Sequence, residues 1–295
     1  MFYDVLRYEG AVYRPPSEAY SLIVQSTIGC SYNKCDFCSA FKAKRYRERP
    51  VEDVVKDLEN ARKYYSRVER IFFADGDAMA RAAEEQLEIL AAVKRLFPEC
   101  ERVTCYASAG TLLKKTPEEL RALRENGMKM VYLGLESGSD EVLASVNKGV
   151  TAEESVKGAL KAKEAGMLLS VTAISGLAGE DGWREHAVKT GEALSAMRPE
   201  YIGLLTLDIP ENTALYRRLM SGEFRPLDPT EGVFRETLLL LENLDCEGCI
   251  FRTNHASNYL PLGGTLNRDK PAMMARLRSA LEGGERLRPD WMRGM

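Results

Sequence analysis

From residue 21 onward, short apolar runs alternate with longer stretches whose apolar residues recur every three or four positions. The short runs predict strands over 21–27, 70–74, 103–107, 130–135, 168–174 and 201–206. The amphipathic stretches between and after them predict helices over 51–65, 80–97, 117–125, 140–146, 152–164, 183–196 and 212–220, then 233–243 and 271–281. Local signals agree with this segmentation. Thr151 and Glu154 have the spacing of a capping box, Thr116 and Pro117 open a helix, and Gly127 and Gly166 stand where helices should stop. The strands are mostly uninterrupted apolar runs, as burial on both faces requires.

Six strand-then-helix units imply a parallel sheet joined by right-handed crossovers. Periodicity fits an open doubly wound sheet as well as a barrel, and six units are too few for a full eight-stranded barrel. The expected fold class is α/β, an incomplete (β/α)6 TIM-like barrel with a short C-terminal extension. The expected organisation is an N-terminal extension over 1–19, a core over 20–225 and a helical extension over 226–295 that closes the barrel. No linker marks an independent domain.

The 295 residues, 45% apolar, suffice for one large core. Near balance between 41 basic and 44 acidic residues argues against a dominant polyanionic partner, so nucleic acid is not expected. No apolar run has the length of a membrane span, and MFYDVLRYEG lacks the regions of a signal peptide. The expectation is a cytoplasmic protein with no membrane association. The seven cysteines are clustered at 30, 35 and 38, at 100 and 105, and at 246 and 249. Such clustering reads as metal or redox chemistry rather than a disulfide framework.

The segment IGCSYNKCDFCSAFK places Cys30, Cys35 and Cys38 just after the first predicted strand, where loops of parallel α/β folds form active sites. Three thiolates on one loop can hold three irons of a cubane cluster and leave the fourth iron open. A structural zinc site would normally be closed by a fourth Cys or His. Neither lies near this loop, since the only histidines are His186 and His255.

This segment resembles the cluster-binding loop of the radical S-adenosylmethionine superfamily, whose usual motif is Cys-x3-Cys-x2-Cys with an aromatic residue before the last Cys. Phe37 matches the aromatic position, while Ser31 to Lys34 make the first gap one residue longer. FFADGDAM after the second strand resembles the family's Gly-Gly-Glu motif, so Asp75, Gly76 and Asp77 are implied at the cofactor's ammonium group. YLGLESGSDEVLASVNKG is similar to the coproporphyrinogen oxidase and methylthiotransferase-like branch; it implies Glu136 at the ribose and Lys148 at the cofactor carboxylate. SVTAISGLAGE resembles the glycine-containing segment along the cofactor, which implies Thr172 there, with Ser108 a candidate for the same surface. Each has an ordinary reading too: a turn for 75–77, helix-end charges for Glu136 and Lys148, and small hydroxyls of a barrel interior for Thr172 and Ser108.

The resemblance spans about residues 20 to 210, four motifs in order. It implies a [4Fe-4S] cluster, S-adenosyl-L-methionine, and an external reductant such as flavodoxin or ferredoxin. It implies reductive cleavage of the cofactor to a 5′-deoxyadenosyl radical that abstracts hydrogen from a small-molecule or peptide substrate. The alternatives are a noncatalytic iron–sulfur protein for electron transfer or sensing, which would not need Asp77, Glu136 or Lys148, and a tRNA-modifying enzyme of the same superfamily. Beyond the core, FRTNHASNYLPLGGTLNRDK offers Arg252, Asn254, His255, Asn258 and Tyr259 as substrate contacts, or else as a packed loop. An auxiliary cluster at Cys246 and Cys249 would need two more ligands; Cys105 falls within a predicted strand, and Cys100 lies at a strand's amino end, away from the active face.

Overall fold

The computed structural model describes residues 6–293, so residues 1–5 of the expected N-terminal extension and 294–295 lie outside the described part. Strands run in the order β1 (Leu22–Gln25), β2 (Thr27–Ile28), β3 (Arg47–Glu48), β4 (Arg70–Ala74), β5 (Arg102–Ala107), β6 (Met128–Glu136), β7 (Leu168–Ser175), β8 (Tyr201–Thr206), β9 (Ile250–Arg252) and β10 (Gly263–Thr265). The helices are α1 (Val51–Tyr64), α2 (Ala83–Leu96), α3 (Ala109–Lys114), α4 (Pro117–Glu125), α5 (Asp140–Ser145), α6 (Ala152–Glu164), α7 (Gly179–Met197), α8 (Ala214–Met220), α9 (Glu231–Glu242) and α10 (Lys270–Leu281). The chain divides into two compact units.

The first unit comprises described residues 6–33, 40–133 and 157–169. Its sheet has the order β1-β4-β5-β6, every pair parallel. The strand interiors are dry: Ile71, Phe72 and Phe73 are fully buried. α1 buries Val54, Leu58 and Ala61, one stripe of an otherwise charged helix. Thr116 and Glu119 form a complete capping box at the start of α4.

The second unit comprises 34–39, 134–156 and 170–293. Here β7, β8 and β9 are parallel and β10 runs antiparallel to β9. Burial alternates along these strands. Val171, Ala173, Ile202, Leu204 and Phe251 are buried, while Thr172, Ile174, Gly203, Leu205 and Ile250 are half-buried on the opposite face. Ile174 and Leu205 explain why the runs of β7 and β8 read as continuously apolar although one face is more open.

The observed fold is mostly parallel α/β, as expected. Differences concern short or polar elements. α3 was hidden by its length, and β9 and β10 lie within the polar stretch of the extension expected to be helical, so the C-terminal extension is strand as well as helix. α7 begins at Gly179, four residues before the start expected from periodicity. Among the described residues, no helix is long and apolar enough to cross a membrane.

Candidate functional site

In the first unit, β4 ends at Ala74 and hands the chain to Asp75, Gly76 and Asp77. Gly76 must be glycine: a Cβ there would lie 2.5 Å from the Phe41 ring and 3.0 Å from Cys30 Cβ. Its backbone N–H donates to Gly29 O at 3.0 Å. Asp75 is fully buried. Its Oδ2 accepts from Gly29 N (3.0 Å), Gln25 Nε2 (3.0 Å) and Lys44 Nζ (2.7 Å), while Oδ1 is buried with no hydrogen-bond partner. Asp77, also fully buried, accepts from Ser31 Oγ, from Ser108 Oγ (2.9 Å) and N (3.1 Å), and from Thr111 Oγ1 (2.7 Å). Gly29 and Ser31 flank Cys30, so Asp75 holds the backbone N–H on one side of that residue and Asp77 the hydroxyl on the other. Ser108 is the N-cap of α3 as well as a partner of Asp77, which occupies the hydroxyl considered for the cofactor.

In the second unit, the other half of the cysteine loop is tied down by backbone bonds. Asp36 N donates to Val146 O at 2.9 Å, and Leu215 N donates to Asp36 O at 3.0 Å. Phe37, between Asp36 and Cys38, packs against Val142, Val146 and Leu177 with Ile174, Ala178 and Leu207. The aromatic residue of the motif is therefore an apolar peg that orients the loop. Cys35 and Cys38, like Cys30, are half-buried.

At the end of β6, Glu136 has a φ of 63°, uncommon for a side chain-bearing residue. Lys148 Nζ donates to Glu136 Oε1 at 2.9 Å, and both side chains are largely buried. A Cβ on Gly134 would sit 2.1 Å from Glu136 Oε1, so glycine makes room for the pair. The two residues expected at separate parts of the cofactor are thus joined to one another. Thr172 stands half-buried on the open face of β7.

The C-terminal candidates separate into two groups. Asn258 is buried, its Nδ2 donating to Leu204 O (3.0 Å) and its Oδ1 accepting from Thr206 Oγ1 (3.0 Å), so it staples the segment to β8. Tyr259 donates to Asp290 and lies under the Arg293 guanidinium, 3.8 Å from ring centroid to Cζ, which holds the C-terminal turn. Arg252 and Asn254 are exposed and His255 is half-buried. His255 Nδ1 accepts from Ser257 N at 3.1 Å, which puts the proton of the neutral ring on Nε2.

Burial holds the His255 pKa below its usual 6.5, against the opposing pull of Asp208. The unfolded chain then binds this proton more readily, so the stabilisation is complete above a pH of about 6.5 and is lost as pH falls toward the folded pKa. Urea unfolding between pH about 7.5 and 5.5 should show stability falling with pH, and His255→Gln should flatten that slope. Equal slopes would remove His255 from the account.

A sequence model of the Radical SAM superfamily matches residues 24–190, more than half of the chain. The chain belongs to the radical SAM superfamily. It is 28% identical over 148 residues to an uncharacterized methyltransferase of Pyrococcus horikoshii, covering 49% of this chain and 30% of that protein. Its fold is similar to the radical S-adenosylmethionine methyltransferase TsrM of Kitasatospora setae, with TM-score 0.56, 21% identity, and 71% of this chain and 42% of that one covered. It is also similar to coproporphyrinogen III oxidase HemN of Escherichia coli, with TM-score 0.56, 15% identity, and coverage of 75% and 50%. The chain spans between 21% and 51% of the length of the curated relatives it matches.

Radical SAM proteins use a [4Fe-4S] cluster and S-adenosylmethionine, and the donor chemistry here fits that pair. The loop carries three half-buried thiols, and the Gly76 cradle beside Cys30 excludes any side chain. Among the described residues, no three His, Cys, Asp or Glu side chains already stand together as a metal-binding group, so the thiols are assigned by their motif. A cleft of about 650 Å³, lined by Tyr8, Tyr20, Tyr65 and Arg70 among others, opens at the amino ends of β1 and β4 and contains none of the residues above.

Sequence reasoning missed the support beneath the radical SAM motifs. Buried His186 lies with Nδ1 2.8 Å from Ser137 Oγ, and with Nε2 3.1 Å from Ile174 O and 3.0 Å from Glu236 Oε1. Glu236 Oε2 accepts from Gly176 N at 2.8 Å, and Thr190 Oγ1 accepts from Gly138 N at 2.9 Å. This network joins the turns that follow Glu136 and β7. The available signal was Glu236 itself, a carboxylate among the apolar residues of VFRETLLLL.

Proposed function

We propose that this chain is a radical SAM enzyme in which Cys30, Cys35 and Cys38 hold the [4Fe-4S] cluster. Bound together, the cluster and S-adenosylmethionine supply a 5′-deoxyadenosyl radical by reductive carbon–sulfur cleavage, with the electron coming from an external flavodoxin- or ferredoxin-type donor. In this reading the Asp75-Gly76-Asp77 turn receives the cofactor's ammonium group. The Glu136–Lys148 pair opens toward the cofactor, giving Glu136 to the ribose and Lys148 to the carboxylate, with Thr172 and Ser108 beside the nucleoside. Residues 20–225 form the core that does this, and 226–295 face the substrate.

The observation that carries the reading is the double clamp on Cys30, Asp75 on Gly29 and Asp77 on Ser31. An inert thiol has no need of two buried carboxylates fixing its neighbours.

The test is direct. Anaerobically reconstituted protein, reduced with dithionite in the presence of S-adenosylmethionine, should release 5′-deoxyadenosine and methionine slowly even without substrate. An intact, reducible cluster with no cofactor cleavage would instead make the chain an electron-transfer or sensing protein.

A further inference from the structure

We propose that Arg252 anchors the acid group of a small substrate, a carboxylate or a phosphate, over a floor formed by Gly203 and Gly263. The inference deepens the radical SAM reading and depends on it only in calling the ligand a substrate.

Register puts the elements of this site side by side. Thr172 pairs with Gly203 across β7 and β8, Gly203 pairs with Arg252 across β8 and β9, and Arg252 pairs with Gly263 across β9 and β10. Paired residues share a face of the sheet. The burial alternation identifies that face as the open one, opposite Val171, Ile202 and Phe251. The row therefore runs from the residue assigned to the cofactor, through a glycine, to a cation. Two strand spacings separate Thr172 from Arg252, about 9–10 Å, the width of a small metabolite.

Both glycines are unexplained by the fold alone. Neither has a positive φ. A Cβ on Gly203 would meet only Thr172 Cγ2, at 3.7 Å, and one on Gly263 would meet Arg252 Nη1 at an ordinary 3.5 Å. Each strand thus accepts a side chain that would stabilise it, yet carries none. Gly203 lies in the interior of β8, where glycine marks a place that something approaches closely, and Gly263 opens the edge strand β10 beside the guanidinium.

Most arginine side chains of this unit are held by a partner. In the same unit Arg225, Arg235, Arg268, Arg276, Arg278 and Arg293 each lie against a carboxylate. The Arg252 side chain has no hydrogen bond or ion pair among the described residues. Its guanidinium lies beside Gly263, where a planar fork can take two oxygens of one oxyanion.

The experiment uses reconstituted protein with 15N-labelled arginine, titrated anaerobically with inorganic phosphate and separately with acetate. At least one probe should shift a single arginine side-chain signal saturably in the millimolar range, and that signal should be missing from Arg252→Gln. The tighter probe names the acid. Gly203→Val keeps the cation and fills the floor, so it should weaken the same binding at least tenfold. No saturable shift with either probe, or an equal shift in Arg252→Gln, overturns the anchor, and unchanged binding in Gly203→Val overturns the floor. The titration is independent of turnover. Saturable binding in a wild type that never cleaves S-adenosylmethionine would sink the enzyme reading while leaving the anion site, and cleavage without anion binding would do the reverse.

Discussion

Changing any one of Cys30, Cys35 or Cys38 to Ala is expected to take the reconstituted protein from about four irons per chain to a small residue, and cofactor cleavage to background. The loss should be chemical rather than conformational. Asp75 and Asp77 hold Gly29 and Ser31 through their backbone and hydroxyl groups, and Phe37 is held by its own apolar cluster. None of these contacts uses a thiol, so the apoprotein of each variant should still unfold cooperatively in urea. Cys246→Ser with Cys249→Ser serves as the control. Those side chains are buried on the segment entering β9, and Cys105 is buried within β5, its thiol pushed well above the usual range by desolvation. Iron content should stay at one cubane. A full cluster in a protein lacking all three loop cysteines, or about eight irons in the wild type halved by the double change, would refute the assignment.

The features legible in the sequence were those carried by period or by spacing along the chain. The strands and long helices follow from apolar recurrence, so β4, β8, α4 and α6 appear with the bounds expected of them. The cysteine loop was legible because three cysteines lie within nine residues. Roles that depend on which side chains meet were not legible. Asp77 and Ser108 are far apart in the chain, and only the adjacency of β4 and β5 makes them partners. Asn258 and Tyr259 read as substrate contacts because they are polar and crowded, yet their partners are Leu204, Thr206 and Asp290. β9 and β10 were hidden because three-residue strands with glycine and arginine lack any apolar alternation.

The resemblance implies Lys148 at the cofactor carboxylate, and its ordinary reading is a charge at a helix end, where an exposed lysine can be removed at almost no cost. The structure changes that expectation, because its ammonium is largely buried against Glu136 at 2.9 Å. Removing one member of a buried pair strands the other charge and costs about 3 kcal/mol. Lys148→Met and Glu136→Gln should therefore each lower stability by roughly that amount or somewhat less, since neither side chain is wholly dry. If the pair also opens to the cofactor, each should weaken S-adenosylmethionine binding about ten- to a hundredfold, the worth of a charge-assisted hydrogen bond, while iron content stays constant. The double variant separates the two roles. With neither charge left to strand, it should regain most of the lost stability, but it has no group to offer the ribose or the carboxylate and should bind the cofactor at least as poorly as either single variant. The measurements are urea unfolding and spectroscopic cofactor titration on the same three proteins. Recovery of cofactor affinity together with stability would mean that the pair serves only the fold. Wild-type affinity in Lys148→Met would remove Lys148 from the cofactor site, and Glu136, with its φ of 63°, would then need another partner to account for a backbone conformation that its own side chain disfavours.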